Sequence, residues 1–241
     1  MTAGARIRAI LFDKDGTLLD YARSWTPINA RALKLASRDE AGLAARLAAA
    51  TGVDLDGRAL GPHAIMAAGS AGEIATALVA AGATWSVEDL TDGLDALFLA
   101  AAHEMVPVGD LPVILGRLAA RGLVLGVASS DNTASVEAFA TRCGIADLLA
   151  FAAGWDAGHG AKPGPGLGLA FAKAVGVAPA EMAVVGDTDH DMAMARAAGA
   201  GLAVGVLTGT GTRESLGRTA DVVIDDVAGL ADLLYGRGLL G

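Results

Sequence analysis

Five short apolar runs punctuate the chain: Ile7–Phe12, Leu123–Ala128, Met182–Val185, Gly201–Val206 and Asp221–Ile224. They are rich in Val, Ile, Leu and Ala and show little polar alternation, as strands buried on both faces of a parallel sheet do. Stretches with helical composition lie around the later runs, at Leu111–Arg121, Thr133–Cys143, Gly166–Val175, Met192–Ala198 and Val227–Tyr235. That alternation predicts βαβ units and an α/β fold with a doubly wound, Rossmann-like parallel sheet. The interval after the first run breaks the rule. It holds no convincing strand, and Ala30–Ala50, Gly72–Ala81 and Asp89–Ala102 read as helices separated by linkers such as Gly52–Gly61. A helical stretch of this length is too long for a crossover, so it is expected to be an insertion over one end of the sheet. The expected division is a core of residues 1–20 and 105–241 and a helical cap of residues 21–104.

Composition narrows the class without changing the architecture. Hydrophobic residues make up 53% of 241 positions, enough for a sizeable core and far from the composition of disordered chains. Only 4% are aromatic, and Ala and Gly abound, so the helices should pack closely. A net charge of −9 with no Lys/Arg run argues against a nucleic-acid partner. The longest uncharged run, Ala197–Thr212, is interrupted by Gly and Thr and falls short of a membrane span. The apolar run within MTAGARIRAILFD is too short for a signal-peptide core, and Cys143 is the lone cysteine, so a cytoplasmic location is expected. Nothing in the sequence sets the oligomeric state.

Ligands of doubly wound sheets sit where loops leave the carboxyl ends of the strands. At those ends stand Asp13 and Asp15, then Ser129 and Ser130, and then the run Asp187-Thr188-Asp189-His190-Asp191; Lys162 precedes a later helix. Several acids with one lysine suit a hard divalent cation, Mg2+, together with a phosphate ester whose oxygens need positive charge between them and the carboxylates. A carboxylate at the first position can attack phosphorus. The second, two residues on, can protonate the leaving oxygen and then activate water. Taken singly, each residue has a plainer reading. Asp13 and Asp15 could form a turn, and Asp187 and Asp191 could be acids at a helix start. Ser129 could be a helix N-cap, in competition with Asp131 or Asn132, and Lys162 could be a solvated surface lysine. Their common order after successive strands argues for a site. Gly209-Thr210-Gly211-Thr212 lacks the lysine of a phosphate loop and reads as a turn. Cys143 reads as a small buried hydrophobe, His159 has no partner for zinc, and Lys14 is expected to be a bystander.

With Asp13-Lys14-Asp15-Gly16-Thr17, Ser129, Lys162 and Asp187 with Asp191, the chain resembles the haloacid dehalogenase-like superfamily, in its phosphoglycolate phosphatase-like branch. The resemblance covers the whole chain, cap included. It implies a nucleophile at Asp13 and a general acid/base at Asp15. It places Mg2+ on the Asp13 carboxylate, the Asp15 backbone carbonyl and Asp187. Ser129, Ser130 and Lys162 would hold the phosphoryl oxygens, and Thr17 and Asp191 would support the site from behind its ligands, Asp191 by orienting Lys162 or a metal-bound water. Two departures are mild: AKPGPG around Lys162, and the extra Asp189 and His190 between the paired acids. Arg23 is the candidate for reading the substrate, while Arg58 and His63 stay unassigned. The expected function is a Mg2+-dependent phosphatase of a small, phosphoglycolate-like metabolite. The alternatives are a β-phosphoglucomutase-like mutase and a non-catalytic phosphate- or partner-binding module.

Overall fold

A computed structural model describes residues 6–61 and 64–239 of the chain. Its sheet contains β1 (Ala9–Phe12), β2 (Val124–Ala128), β3 (Leu149–Ala153), β4 (Met182–Gly186), β5 (Leu202–Val206) and β6 (Val222–Ile224). All pairings are parallel and the order is β3-β2-β1-β4-β5-β6, so strand order reverses beside β1. Both faces are buried, with the two-residue period of a strand deciding which side chain serves which face. Ile10, Phe12, Ala183 and Val185 join one core; Ala9, Leu11, Met182 and Val184 join the other.

Strand β3 is absent from the five expected runs. It is an edge strand, Leu-Ala-Phe-Ala-Ala, partly exposed along most of its length. Its residues reach both cores, Leu149 and Ala152 one and Phe151 and Ala153 the other, but only in part, and it lacks the continuous Val/Ile/Leu run that marks the central strands.

Six helices flank the sheet: α6 (Leu111–Ala119), α7 (Thr133–Arg142), α8 (Gly166–Val175), α9 (Asp189–Ala198), α10 (Arg213–Leu216) and α11 (Leu230–Gly236). The insertion holds α1 (Tyr21–Ser37), α2 (Ala41–Thr51), α3 (Ile65–Ala68), α4 (Ala71–Ala80) and α5 (Val87–Ala101). The helix expected over Ala30–Ala50 is therefore two. α1 starts earlier, where Asp20 accepts from the Arg23 backbone N–H at 3.0 Å. It stops because Arg38 and Asp39 turn left-handed, at φ 52° and 65°. Neither is glycine, so the break has no ordinary sequence signature.

The chain leaves and re-enters the sheet through paired segments. Asp20 donates to the Val106 carbonyl at 2.9 Å and Val108 to the Leu18 carbonyl at 3.1 Å. Ile28, Leu33, Leu47, Leu78, Leu94 and Phe98 of the insertion are buried in a core continuous with one face of the sheet. The insertion also touches α7, where Asn132 donates to Asp95 Oδ1 at 2.8 Å. Among the described residues, no helix is long and apolar enough to cross a membrane.

Candidate active site

The carboxyl ends of β1, β2 and β4 are adjacent, and their loops bring the predicted residues into one buried place. Phe12 pairs with Val185, and the Asp13 backbone N–H donates to the Val185 carbonyl at 2.8 Å. Asp13 and the β4 loop are thereby held side by side. From the loop ahead of α8, Lys162 sends its ammonium between Asp13 Oδ1, at 2.5 Å, and Asp191 Oδ1, at 2.7 Å. The other Asp191 oxygen accepts from the Thr188 backbone N–H at 3.1 Å and hydroxyl at 2.7 Å. Asp189 instead accepts from exposed Thr219, which leaves Asp191 as the acid facing Lys162. Thr17 is fully buried, and its hydroxyl has no partner among the described residues.

Burial dominates the electrostatics. It pushes the Asp13 carboxyl up to about 7 against the pull of Lys162, with Asp191 and Asp15 adding repulsion. Burial also lifts Asp187 well above the carboxylate range, helped by Asp13 and Asp191. Desolvation opposes the Lys162 charge, but Asp13 and Asp191 outweigh it and hold the ammonium above its ordinary value. Acids crowded this closely call for more positive charge than one lysine supplies. Oxygens of Asp13, Asp187 and Asp191 lie within 4.8 Å of one another. Asp187 Oδ1 is buried without a hydrogen-bond partner among the described residues, as an atom reserved for a cation would be. A hard divalent ion fits this oxygen donor set.

The loop read as a plain turn takes part. Thr210 donates its backbone N–H to Asp187 Oδ2 at 2.8 Å, and Thr208 donates its hydroxyl to the Gly16 carbonyl at 2.6 Å. A Cβ at Gly209 would overlap the Asp187 carboxylate, so glycine lets this backbone close on the acid. Gly16 has φ +81°, and a Cβ there would meet Asp187 Oδ2 at 2.6 Å.

Lys14 requires a larger correction. It is fully buried rather than a bystander. Its ammonium lies 2.7 Å from Asp131 Oδ2 and 3.1 Å from Asp15 Oδ1. Burial works against that charge, and Asp131 with Asp15 overcomes it, raising Lys14 above its ordinary value. Asp15 is further held by Trp25 Nε1 at 2.6 Å and by the Ser129 hydroxyl at 2.9 Å. Asn132, not Ser129, caps α7, accepting from the Ser135 backbone N–H at 2.8 Å. The Ser129 hydroxyl thus stays in the site.

Between the sheet and the insertion lies a cavity of about 40 Å3, bordered by Asp13, Asp15, Ser130, Asp131, Lys162 and Asp187. Its opposite wall comes from the insertion: Trp25, Met66, Ala67, Ala68, Ile74 and Phe98. Trp25 packs edge-on against Phe98, with ring centroids 4.9 Å apart. Arg23 is exposed and does not border this cavity. Arg58 pairs with Asp54 at 3.3 Å, and His63 lies outside the described residues.

Sequence reasoning missed three contributors: Lys14, Asp131 and the loop at Gly209. Lys14 had one signal, a charged side chain set directly between two acids at the end of an apolar run.

Residues 7–199 match the family of haloacid dehalogenase-like hydrolases. A hydrolase from Pseudomonas syringae is 24% identical, covers 96% of this chain and 98% of its own, and superposes with a TM-score of 0.71. A predicted phosphoglycolate phosphatase from Haemophilus somnus 129PT is 21% identical over 96% of this chain and 99% of its own, with a TM-score of 0.67. A β-phosphoglucomutase from Clostridium difficile is 19% identical over 96% of each chain, with a TM-score of 0.69. These likenesses concern the fold. No curated protein matches the chain.

Proposed function

The chain belongs to the haloacid dehalogenase-like hydrolases, and we propose that within them it is a Mg2+-dependent phosphatase of a small phosphorylated metabolite, working through an aspartyl-phosphate at Asp13. One observation carries the reading. A buried Asp13 is paired with Lys162 and grouped with Asp187, whose Oδ1 lacks a hydrogen-bond partner among the described residues, beneath a largely apolar wall.

In the first step an Asp13 oxygen attacks phosphorus. The ester P–O bond breaks, its electron pair leaves with the alcohol oxygen, and Asp15 gives that oxygen a proton. In the second step water attacks the phosphorus of the aspartyl-phosphate, Asp15 takes the water's proton, and Asp13 departs as a carboxylate. Lys162 and the Ser129 and Ser130 hydroxyls hold the phosphoryl oxygens, while Asp191 holds Lys162 and Thr17 backs the loop. The Asp13 carboxylate, the Asp15 backbone carbonyl and Asp187 would hold Mg2+, which when bound supplies positive charge between these groups and the phosphate. The insertion acts as the cap, excluding bulk water during attack.

The wall also bears on the substrate. Among the described residues the insertion brings no charged side chain to the cavity, and both lysines are already paired with acids. A compact, uncharged leaving group is favoured. Phosphoglycolate itself would place its carboxylate among Asp15, Asp131 and apolar side chains, and is expected to be the weaker substrate. Arg23, exposed and off the cavity, is given no role.

The test is phosphate release from a panel of monoesters, with Mg2+ and after chelation. The panel includes phosphoglycolate, glycerol phosphate and a hexose 1-phosphate. Release that depends on Mg2+ supports the reading. Conversion of the hexose 1-phosphate to the 6-phosphate without release would make the chain a mutase. Mg2+-dependent binding of beryllium fluoride without turnover would make it a binding module.

A further inference from the structure

Lys14 sits between Asp13 and Asp15 in sequence, and its ammonium is paired with Asp15 and with the distant Asp131. We propose that Lys14 is a positioning residue that fixes the Asp15 carboxylate for proton transfer and ties that pose to the seating of the insertion. The proposal rests on the phosphatase reading.

A lysine with no exposure to solvent is rare unless fully paired. Lys14 has three N–H bonds and three acceptors in reach: Asp131 Oδ2 at 2.7 Å, Asp15 Oδ1 at 3.1 Å and Met105 Sδ at 3.7 Å. They come from three separate segments, namely the loop after β2, the loop after β1 and the stretch returning from the insertion. A fourth neighbour, the Trp25 ring of α1, lies 5.6 Å from the ammonium. The ammonium therefore stands where two active-site loops meet both crossings of the insertion.

The consequence falls on Asp15, whose two oxygens are held unequally. Oδ1 faces Lys14 and accepts from Trp25 Nε1 at 2.6 Å; among the described residues Oδ2 accepts only from the Ser129 hydroxyl, at 2.9 Å. A phosphoryl oxygen arriving at Ser129 competes for that hydroxyl. Oδ2 is then released toward the leaving oxygen, while Oδ1 stays pinned by one donor from the core and one from the insertion. Holding a reacting group in a single orientation is worth much of a barrier, and small misplacements are costly.

Leaving-group dependence reads this role directly. Nitrophenolate leaves without a proton, whereas an alkoxide requires one. kcat and KM are measured for 4-nitrophenyl phosphate and glycerol phosphate with the unmodified chain, Lys14→Met, and Lys14→Met/Asp131→Asn. The double variant removes the carboxylate that Lys14→Met would strand in the interior, and it supplies the comparison if the single variant fails to fold. Because Asp15 also takes the water's proton in the second step, which both esters share, the comparison is made on kcat/KM, which reports the steps through departure of the leaving group. The expected loss is about 100-fold or more for glycerol phosphate and less than about tenfold for 4-nitrophenyl phosphate, as loss of a general acid predicts. A merely structural role lowers both substrates together, so equal losses, or none, overturn the proposal. An unmodified chain inactive on both esters in Mg2+ overturns the phosphatase reading instead, and the proposal with it.

Discussion

Lys162→Met removes the cation between Asp13 and Asp191 while keeping most of the side chain's length. The three side chains are 2%, 7% and 2% exposed for Lys162, Asp13 and Asp191, so water cannot take over the lost contacts. Removing one partner of a buried ion pair costs about 3–5 kcal/mol. The pH dependence follows from Asp13. Folding raises its carboxyl from 3.8 to about 7, so between those values the native state keeps a proton that the unfolded chain releases. The stability from that proton is fully present below the unfolded value and is lost as pH rises through the folded one. Lys162 is the main group holding Asp13 down, and its loss moves the folded value higher. The metal-free variant therefore sheds more stability than the unmodified chain as pH rises. Its deficit is smallest near about pH 5 and largest near about pH 8. Urea unfolding of both proteins in chelator across that range measures it. A deficit under about 1 kcal/mol at the alkaline end, no more than an exposed pair is worth, or one independent of pH, would refute the reasoning.

Gly209→Ala drives a Cβ into the Asp187 carboxylate and displaces the Thr210 N–H bond. It should cost about 1–3 kcal/mol, as overpacking does, and weaken Mg2+ binding measured by calorimetry; unaltered Mg2+ affinity would contradict the assigned closeness. Asn132→Ala deletes both the α7 cap and the contact to Asp95. A stability loss of about 0.5–2 kcal/mol is expected, with faster limited proteolysis within the insertion. Because Asp13 sits near 7 without metal, protons compete with Mg2+. The rise in Tm produced by Mg2+ should grow as pH climbs through about 7, and a pH-independent rise would count against Asp13 as a ligand.

Legibility of the fold in the sequence followed continuous apolar runs, which even the partly buried edge strand β6 keeps as Val-Val-Ile. Strands β1, β4 and β5 are buried along their lengths and read as unbroken apolar runs, whereas β3, at the sheet edge, is only partly buried and reads as Leu-Ala-Phe-Ala-Ala in a helical neighbourhood. The break between α1 and α2 rests on two non-glycine residues with positive φ, which no residue preference announces. In the site, Asp13, Ser129 and Asp187 could be picked out because each closely follows a strand. Lys14 shares that position, but its role could not be read, because its partner Asp131 lies 117 positions away and only the pairing of β1 with β2 brings them together. The loop at Gly209 was hidden for another reason. It acts through a backbone N–H and the absence of a side chain, and neither leaves a chemical mark in the sequence.

Acid quenching during steady-state turnover of a phosphate monoester, followed by peptide mass spectrometry, asks whether phosphorus becomes bonded to Asp13. The account predicts a Mg2+-dependent gain of one phosphoryl group on the peptide containing Asp13, absent in Asp13→Asn, which should also lose turnover. An unmodified peptide under conditions of rapid turnover, or an Asp13→Asn protein that keeps its Mg2+-dependent activity, would contradict it.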